Sequence, residues 1–183
     1  MLRILLARFI VAQFTKRGSS CNQLSISVQS IKEMDDIELI RLRKSYAGEL
    51  SFEGKETNLA FKVIAFRPVD EEGLSIPGLT VEIHLRVGLT ADRCKYTFTL
   101  FRLSRQKKRR IYQLEVVPKA KRSHNGPPRL FGPHEHLGES KILPVQSDMD
   151  CTNYVGWLEF FCTRVNLALD AAMPFPFGDD NGM

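Results

Sequence analysis

The stretch LTVEIHLRVG, residues 79–88, alternates without a break: Leu79, Val81, Ile83, Leu85 and Val87 are separated by Thr80, Glu82, His84 and Arg86. Successive residues of a strand point to opposite faces, so the pattern specifies an extended segment with one apolar and one wet face. The apolar side demands a second layer to cover it. KYTFTLFRL (95–103) and RIYQLEVV (110–117) read as two further strands, and the connection SRQKKRR is short enough to close an antiparallel hairpin. NLAFKVIAFRP (58–68) reads as a strand ended by Pro68, and DEEGLSIPG (70–78) as a loop. SKILPV (140–145) reads as a short strand that Pro144 confines to an edge.

The covering layer is helical. In DDIELIRLRKSYAG (35–48), Asp35 and Asp36 stand where a cap belongs, Arg41, Arg43 and Lys44 lie nearer the end, and Gly48 is the expected stop. TNYVGWLEFFCTRVNLALDAA (152–172) reads as a second helix. Trp157, Phe160, Phe161 and Val165 form its apolar face, widened by Cys162, Leu167 and Leu169. The expected fold is therefore α+β: a mostly antiparallel sheet of four or five strands packed with an N-terminal and a C-terminal helix, within a single domain over residues 34–172. Residues 173–183, rich in Pro and Gly, are read as a frayed tail.

Hydrophobic residues make up 43% of the chain and charged ones 26%, a globular composition able to bury a core. No apolar run approaches the roughly 20 residues that span a bilayer, and the chain is placed in the cytoplasm with no membrane partner. The net charge of +5 is less telling than its distribution. Residues 1–32 hold five basic residues and no acidic one, which leaves 21 of each sign in the rest. Within that neutral body, residues 102–122 carry nine basic residues against Glu115 alone. A local patch of this kind attracts anions even when the whole chain is neutral. Cys21, Cys94, Cys151 and Cys162 are scattered, with no C-x-x-C pair, and are read as reduced and mostly buried thiols.

Three of the four histidines fall in RSHNGPPRLFGPHEHLGES (122–140), directly after the basic run. If PHEHLG is extended, His134 and His136 share a face and Glu135 takes the other. Two chemistries suit such a pair. Cleavage of RNA by its own 2′-hydroxyl needs a base, an acid and cations beside the phosphate, and an imidazole near pKa 6.5 serves either proton role. Arg110 and Tyr112 are expected on one face of their strand, with Lys121 and Arg122 just beyond its end. Alternatively, three neutral imidazoles suit zinc, although the surrounding positive charge opposes it and no Asp or Cys is near. The plainest reading is a polar turn beside a solvated hairpin tip. His124 is the least fixed of the three, and His84, on a wet strand face, receives no function.

The order RIYQLEV, RSHNG, GPHEHLGE and a closing WLEFFCTRVNL resembles an uncharacterised bacterial and phage domain family. That family has an R-L-D strand, an H-x-N-P-D-G turn, an H-L-H-x-Y strand and an F-L-x-x-C-N-I helix. In outline it is similar to TumE-type toxins of toxin–antitoxin pairs and, more remotely, to RelE- and barnase-type ribonucleases. The resemblance spans residues 34–170. It matches His124 and Asn125 to the first motif, His134 and His136 to the second, and Arg110 to the strand arginine. The chain departs from the pattern at Glu115, which follows Leu114, at the turn NGPP, and at Leu137 and Gly138 after the second histidine. The leader MLRILLARFIVAQFTKRGSS has three readings: a secretory signal, which Arg8 interrupts; an Arg-rich, acid-poor transit peptide; or an upstream extension before a natural start at Met34. The resemblance, which begins there, favours the last for residues 1–33.

The expected function is a toxin-like, RNA-cleaving or RNA-binding protein acting without metal or other cofactor. His134 and His136 are its acid–base pair, His124 an auxiliary donor, and Arg110, Arg122, Lys121 and Tyr112 its phosphate-binding groups. A cognate antitoxin or regulator protein is the expected partner beside RNA. The rival is a non-catalytic binding module whose basic hairpin (Arg105, Lys107, Lys108 and Arg109) docks an acidic protein. A zinc-binding histidine cluster is the third possibility.

Overall fold

A computed structural model describes residues 31, 33–54, 61–86, 93–127 and 129–171. The expected tail, nearly all of the expected leader, residues 58–60 and Val87 of the expected strands, and Cys21 lie outside the described residues. In chain order the elements are α1 (Asp36–Arg41), β1 (Lys44–Tyr46), β2 (Glu53–Gly54), β3 (Phe61–Phe66), β4 (Leu79–Arg86), β5 (Tyr96–Ser104), β6 (Lys107–Val116), β7 (Arg122–His124), β8 (Leu130–Phe131), β9 (His134–Leu137), β10 (Lys141–Pro144), α2 (Tyr154–Arg164) and β11 (Leu167–Leu169).

The class is α+β, with a mostly antiparallel sheet. The strand count differs from expectation: seven strands run in the order β10-β9-β6-β5-β4-β3-β2. The additional members are the two-residue β2 and β9, whose four residues leave a period-2 signal little room. Two small pairs stand apart, the parallel β1–β11 and the antiparallel β7–β8. As the proline requires, β10 is an edge strand.

The alternation of β4 sorts as its sequence implies, with Leu79, Val81, Ile83 and Leu85 buried. Tyr96, Phe98 and Leu100 of β5 and Tyr112, Leu114 and Val116 of β6 join them on that face. Against these lies α2, whose N-cap Asn153 accepts from the Gly156 amide at 3.0 Å. Phe161 sits 5.6 Å from the Phe98 ring and 5.8 Å from the Tyr112 ring, and Tyr154 packs 5.5 Å from Tyr96.

Both helices end earlier than their sequences suggest. Asp35 and Glu38 form a capping box that starts α1, but the helix stops at Arg41. Lys44 is no longer helical. Its buried ammonium turns back and donates to the Leu39 and Ile40 carbonyls at 2.7 and 3.1 Å and to that of Leu42, closing the helix end it was expected to belong to. Only six residues long, α1 meets the sheet at the hairpin end of β6, where Asp36 pairs with Arg109. In α2 the stop is Asn166, at φ 51°, a left-handed conformation that ends helices. The apolar residues after it, Leu167 and Leu169, belong to β11 and pair with Lys44 and Tyr46.

The thiols also depart from expectation. Cys94 and Cys151 form a disulfide that joins the entry of β5 to the approach of α2, while Cys162 is free. Their separation of 57 residues carries no local signature.

Candidate functional site

The second face of the sheet is polar, and the register defines its membership. In an antiparallel ladder, directly opposed residues share a face. Glu82 opposes Thr99, Thr99 opposes Gln113, and Gln113 opposes His136; one step along, Thr97 opposes Glu115 and Glu115 opposes His134. His134 and His136 therefore lie together on this outer face, as the H-x-H spacing implies, and Glu135 points to the α2 side. There Glu135, 3% exposed, accepts from the Tyr112 hydroxyl at 2.8 Å and from the Arg164 guanidinium. That buried charge is paired and hydrogen-bonded, and it anchors the histidine strand from behind.

The third histidine arrives on the separate β7–β8 pair. The His124 ring centre is 6.2 Å from that of His134 and 6.0 Å from that of His136, and the two strand histidines are 4.9 Å apart. Gly132, at φ 71°, makes the turn between β8 and β9, and a Cβ there would meet the Lys119 backbone at 3.1 Å. The triangle is sheltered: His134 is 1% and His136 7% exposed. The Nδ1 atoms of both are buried without a hydrogen-bond partner. Burial drives both imidazoles below their ordinary value. For His136, Arg110 and the other two histidines act in the same direction, and it is pushed down to about 4. For His134, the neighbouring Glu115 carboxylate and a bond to the Gly132 backbone partly oppose the effect of burial.

Arg110 belongs to this group. Its Nε donates to the Gly138 carbonyl at 3.2 Å and its Nη1 to the Gln113 side chain at 2.8 Å. Tyr112 does not. The pairing of β5 with β6 shifts between Leu100 and Phe101, so Phe101 faces Arg110 while Leu100 faces Tyr112. Ile111 is the extra residue of a bulge, and Ile111 and Tyr112 are both buried on the α2 side. Tyr112 and Arg110 are thus on opposite faces, contrary to the simple alternation.

The basic run is dispersed as well. The turn is only Arg105 and Gln106, at φ 48° and 65°, and the following basic residues are in β6. Lys108 pairs with Glu82 and lies 4.2 Å above the Phe101 ring, Arg109 pairs with Asp36, and Lys107 is exposed. Lys121 and Arg122 are exposed, the latter donating to the Asn125 carbonyl at 3.4 Å. The residues missed at the site are Gln113, Glu115 and Thr99. The alternation of RIYQLEVV would have revealed the first two: with Tyr112, Leu114 and Val116 inward, Gln113 and Glu115 must face the histidines.

Such an arrangement can exchange protons around an anion, with a guanidinium alongside. Among the described residues, no three His, Cys, Asp or Glu side chains are placed to hold a metal ion. A groove of about 670 Å³ between α2 and β11, lined by Val155, Leu158, Cys162, Leu167 and Leu169 among others, contains none of the expected site residues. Burial raises the Cys162 thiol to about 12, so it offers no thiolate at neutral pH. No helix among the described residues is long and apolar enough to cross a membrane. No protein-family model matches this chain, and neither a curated protein nor a solved structure matches it.

Proposed function

We propose that this chain is a toxin-like ribonuclease that cleaves RNA at the histidine triangle without a metal ion. The observation that carries the reading is the convergence of His124, His134 and His136 to within 4.9–6.2 Å of one another, beside the Arg110 guanidinium. The buried His136 ring, held neutral at physiological pH, is ready to accept a proton, and Arg110 offers positive charge to a phosphate that becomes more negative as it reacts. Access is provided by β7 and β8. They form a two-stranded pair outside the seven-stranded ladder, so they can lift from the histidines without breaking a strand of the main sheet. Lys121 and Arg122, exposed on the same segment, would then meet the RNA backbone.

The reading brings with it a cognate antitoxin or regulator protein and action in a bacterial cytoplasm. The Cys94–Cys151 bond weighs against that compartment, since such bonds persist in oxidising surroundings. Incubation of total RNA with the full chain, with and without EDTA, tests the function beside a His134→Ala/His136→Ala control. Cleavage that survives EDTA and is lost in the control, by roughly 10²–10⁴-fold, is the expected result. Cleavage abolished by EDTA would replace this reading with a metal site. Intact RNA in every lane would replace it with the docking module.

A further inference from the structure

The two strand histidines are equivalent in sequence but not in surroundings. Across the ladder from His134 stands Glu115, whose carboxylate is 3.3 Å from the Lys95 ammonium. Across from His136 stands Gln113, which accepts from the Arg110 guanidinium at 2.8 Å. On the other side β10 offers no charge, since Pro144 opposes His134 and Ile142 opposes His136. From β7, His124 lies at nearly the same distance from both. The charged and titratable groups around His134 are thus Glu115, Lys95, His124 and His136, and those around His136 are Arg110, His124 and His134. A carboxylate flanks one ring and a guanidinium the other.

Resting on the ribonuclease reading, we infer that Glu115, as a positioning residue, and Arg110, besides offering its charge to the phosphate, divide the roles of the pair: His134 delivers the proton to the leaving oxygen and His136 takes the proton of the attacking hydroxyl. In the reaction the 2′-oxygen bonds to phosphorus as its proton passes to His136. The bond from phosphorus to the 5′-oxygen breaks, and that oxygen receives the proton of His134. The products are a 2′,3′-cyclic phosphate and a 5′-hydroxyl, and exchange with water restores both rings. The carboxylate favours the protonated ring that an acid requires, and the guanidinium favours the neutral ring that a base requires.

Histidine-selective NMR titration of the full chain reads this division whether or not RNA is cut. In Glu115→Gln the midpoint of His134 should fall by about one pH unit while that of His136 stays. In Arg110→Gln the midpoint of His136 should rise and that of His134 stay. Glu115→Asp and Arg110→Lys, which keep the charges, should restore each midpoint, and an intact amide spectrum shows that each variant is folded. Midpoints that move together, or not at all, overturn the division. In the cleavage profile against pH, Glu115→Gln should move the alkaline limb down and Arg110→Gln the acidic limb up. Limbs that stay in place while the NMR midpoints shift would remove the assigned roles alone. If the unaltered chain cuts no RNA, the ribonuclease reading falls and takes the proton roles with it.

Discussion

The two faces of the central sheet are made by the same strands, yet they differ in almost every physical respect. On the α2 side, Phe98, Leu114, Ile83 and Val81 are fully buried, and Phe98 lies against the Phe161 ring. On the opposite side, Glu82, His84, Thr99, Arg110, Gln113, Glu115, His134 and His136 form a polar layer. The comparison teaches that burial alone does not mark a core. His134 is as inaccessible as Phe98, but the second is buried among partners that complete it, and the first with a ring nitrogen left unsatisfied. Native interiors rarely leave buried polar atoms unpaired.

The difference can be broken at the apolar face first. Phe161→Ala removes a ring wedged between Phe98 and Tyr112 and should cost about 3–5 kcal/mol in denaturant unfolding. A loss under about 1 kcal/mol would mean that α2 does not stabilise the sheet in this way. Reduction of the Cys94–Cys151 bond, which joins the same two layers, should cost about 4 kcal/mol by the entropy of the loop it closes. An unchanged melting temperature in dithiothreitol would contradict it.

The polar face can be sharpened by pH. Both strand histidines are held below their ordinary value, so the unfolded chain binds protons that the folded chain refuses. Their contribution to stability is complete above about pH 6.5 and is lost as the pH falls toward 4, by about 3 kcal/mol for His136 alone. Melting temperatures between pH 7.5 and 4.5 should fall accordingly, and less steeply in His136→Gln. A flat profile would mean that the rings are hydrated. The smallest effect belongs to the exposed rim. Lys108→Ala removes an ion pair to Glu82 whose lysine is 43% exposed, and should cost less than about 1 kcal/mol.

Much of this contrast was legible in the residues themselves. The alternation of 79–86 sorts the sheet faces correctly, and H-x-H places two imidazoles together because one residue of spacing is one flip of the pleat. What was hidden is what depends on a partner elsewhere in the chain. The apolar residues after Arg164 look like a continuing helix until Leu167 and Leu169 find Lys44 and Tyr46, more than 120 residues away. Cys94 and Cys151 look like separate thiols for the same reason. The approach of His124 depends on a turn and a two-stranded pair whose placement no spacing encodes. Tyr112 was misplaced by one unpaired residue that its own segment does not announce.

That residue, Ile111, makes β6 a strand of two parities. Up to Arg110 the even positions look toward the histidines, and from Gln113 onward the odd ones do. If Ile111 were instead paired in an unbroken ladder, a single count would run along the whole strand, and Lys108 and Arg110 would share the face of Tyr112, with their charges aimed at the core. The hairpin end and the histidine end of β6 are each regular, and they are joined out of step by one residue. The site therefore depends on this bulge as much as on its side chains, and a change in pairing that alters no chemical group at the histidines can still take the guanidinium away from them.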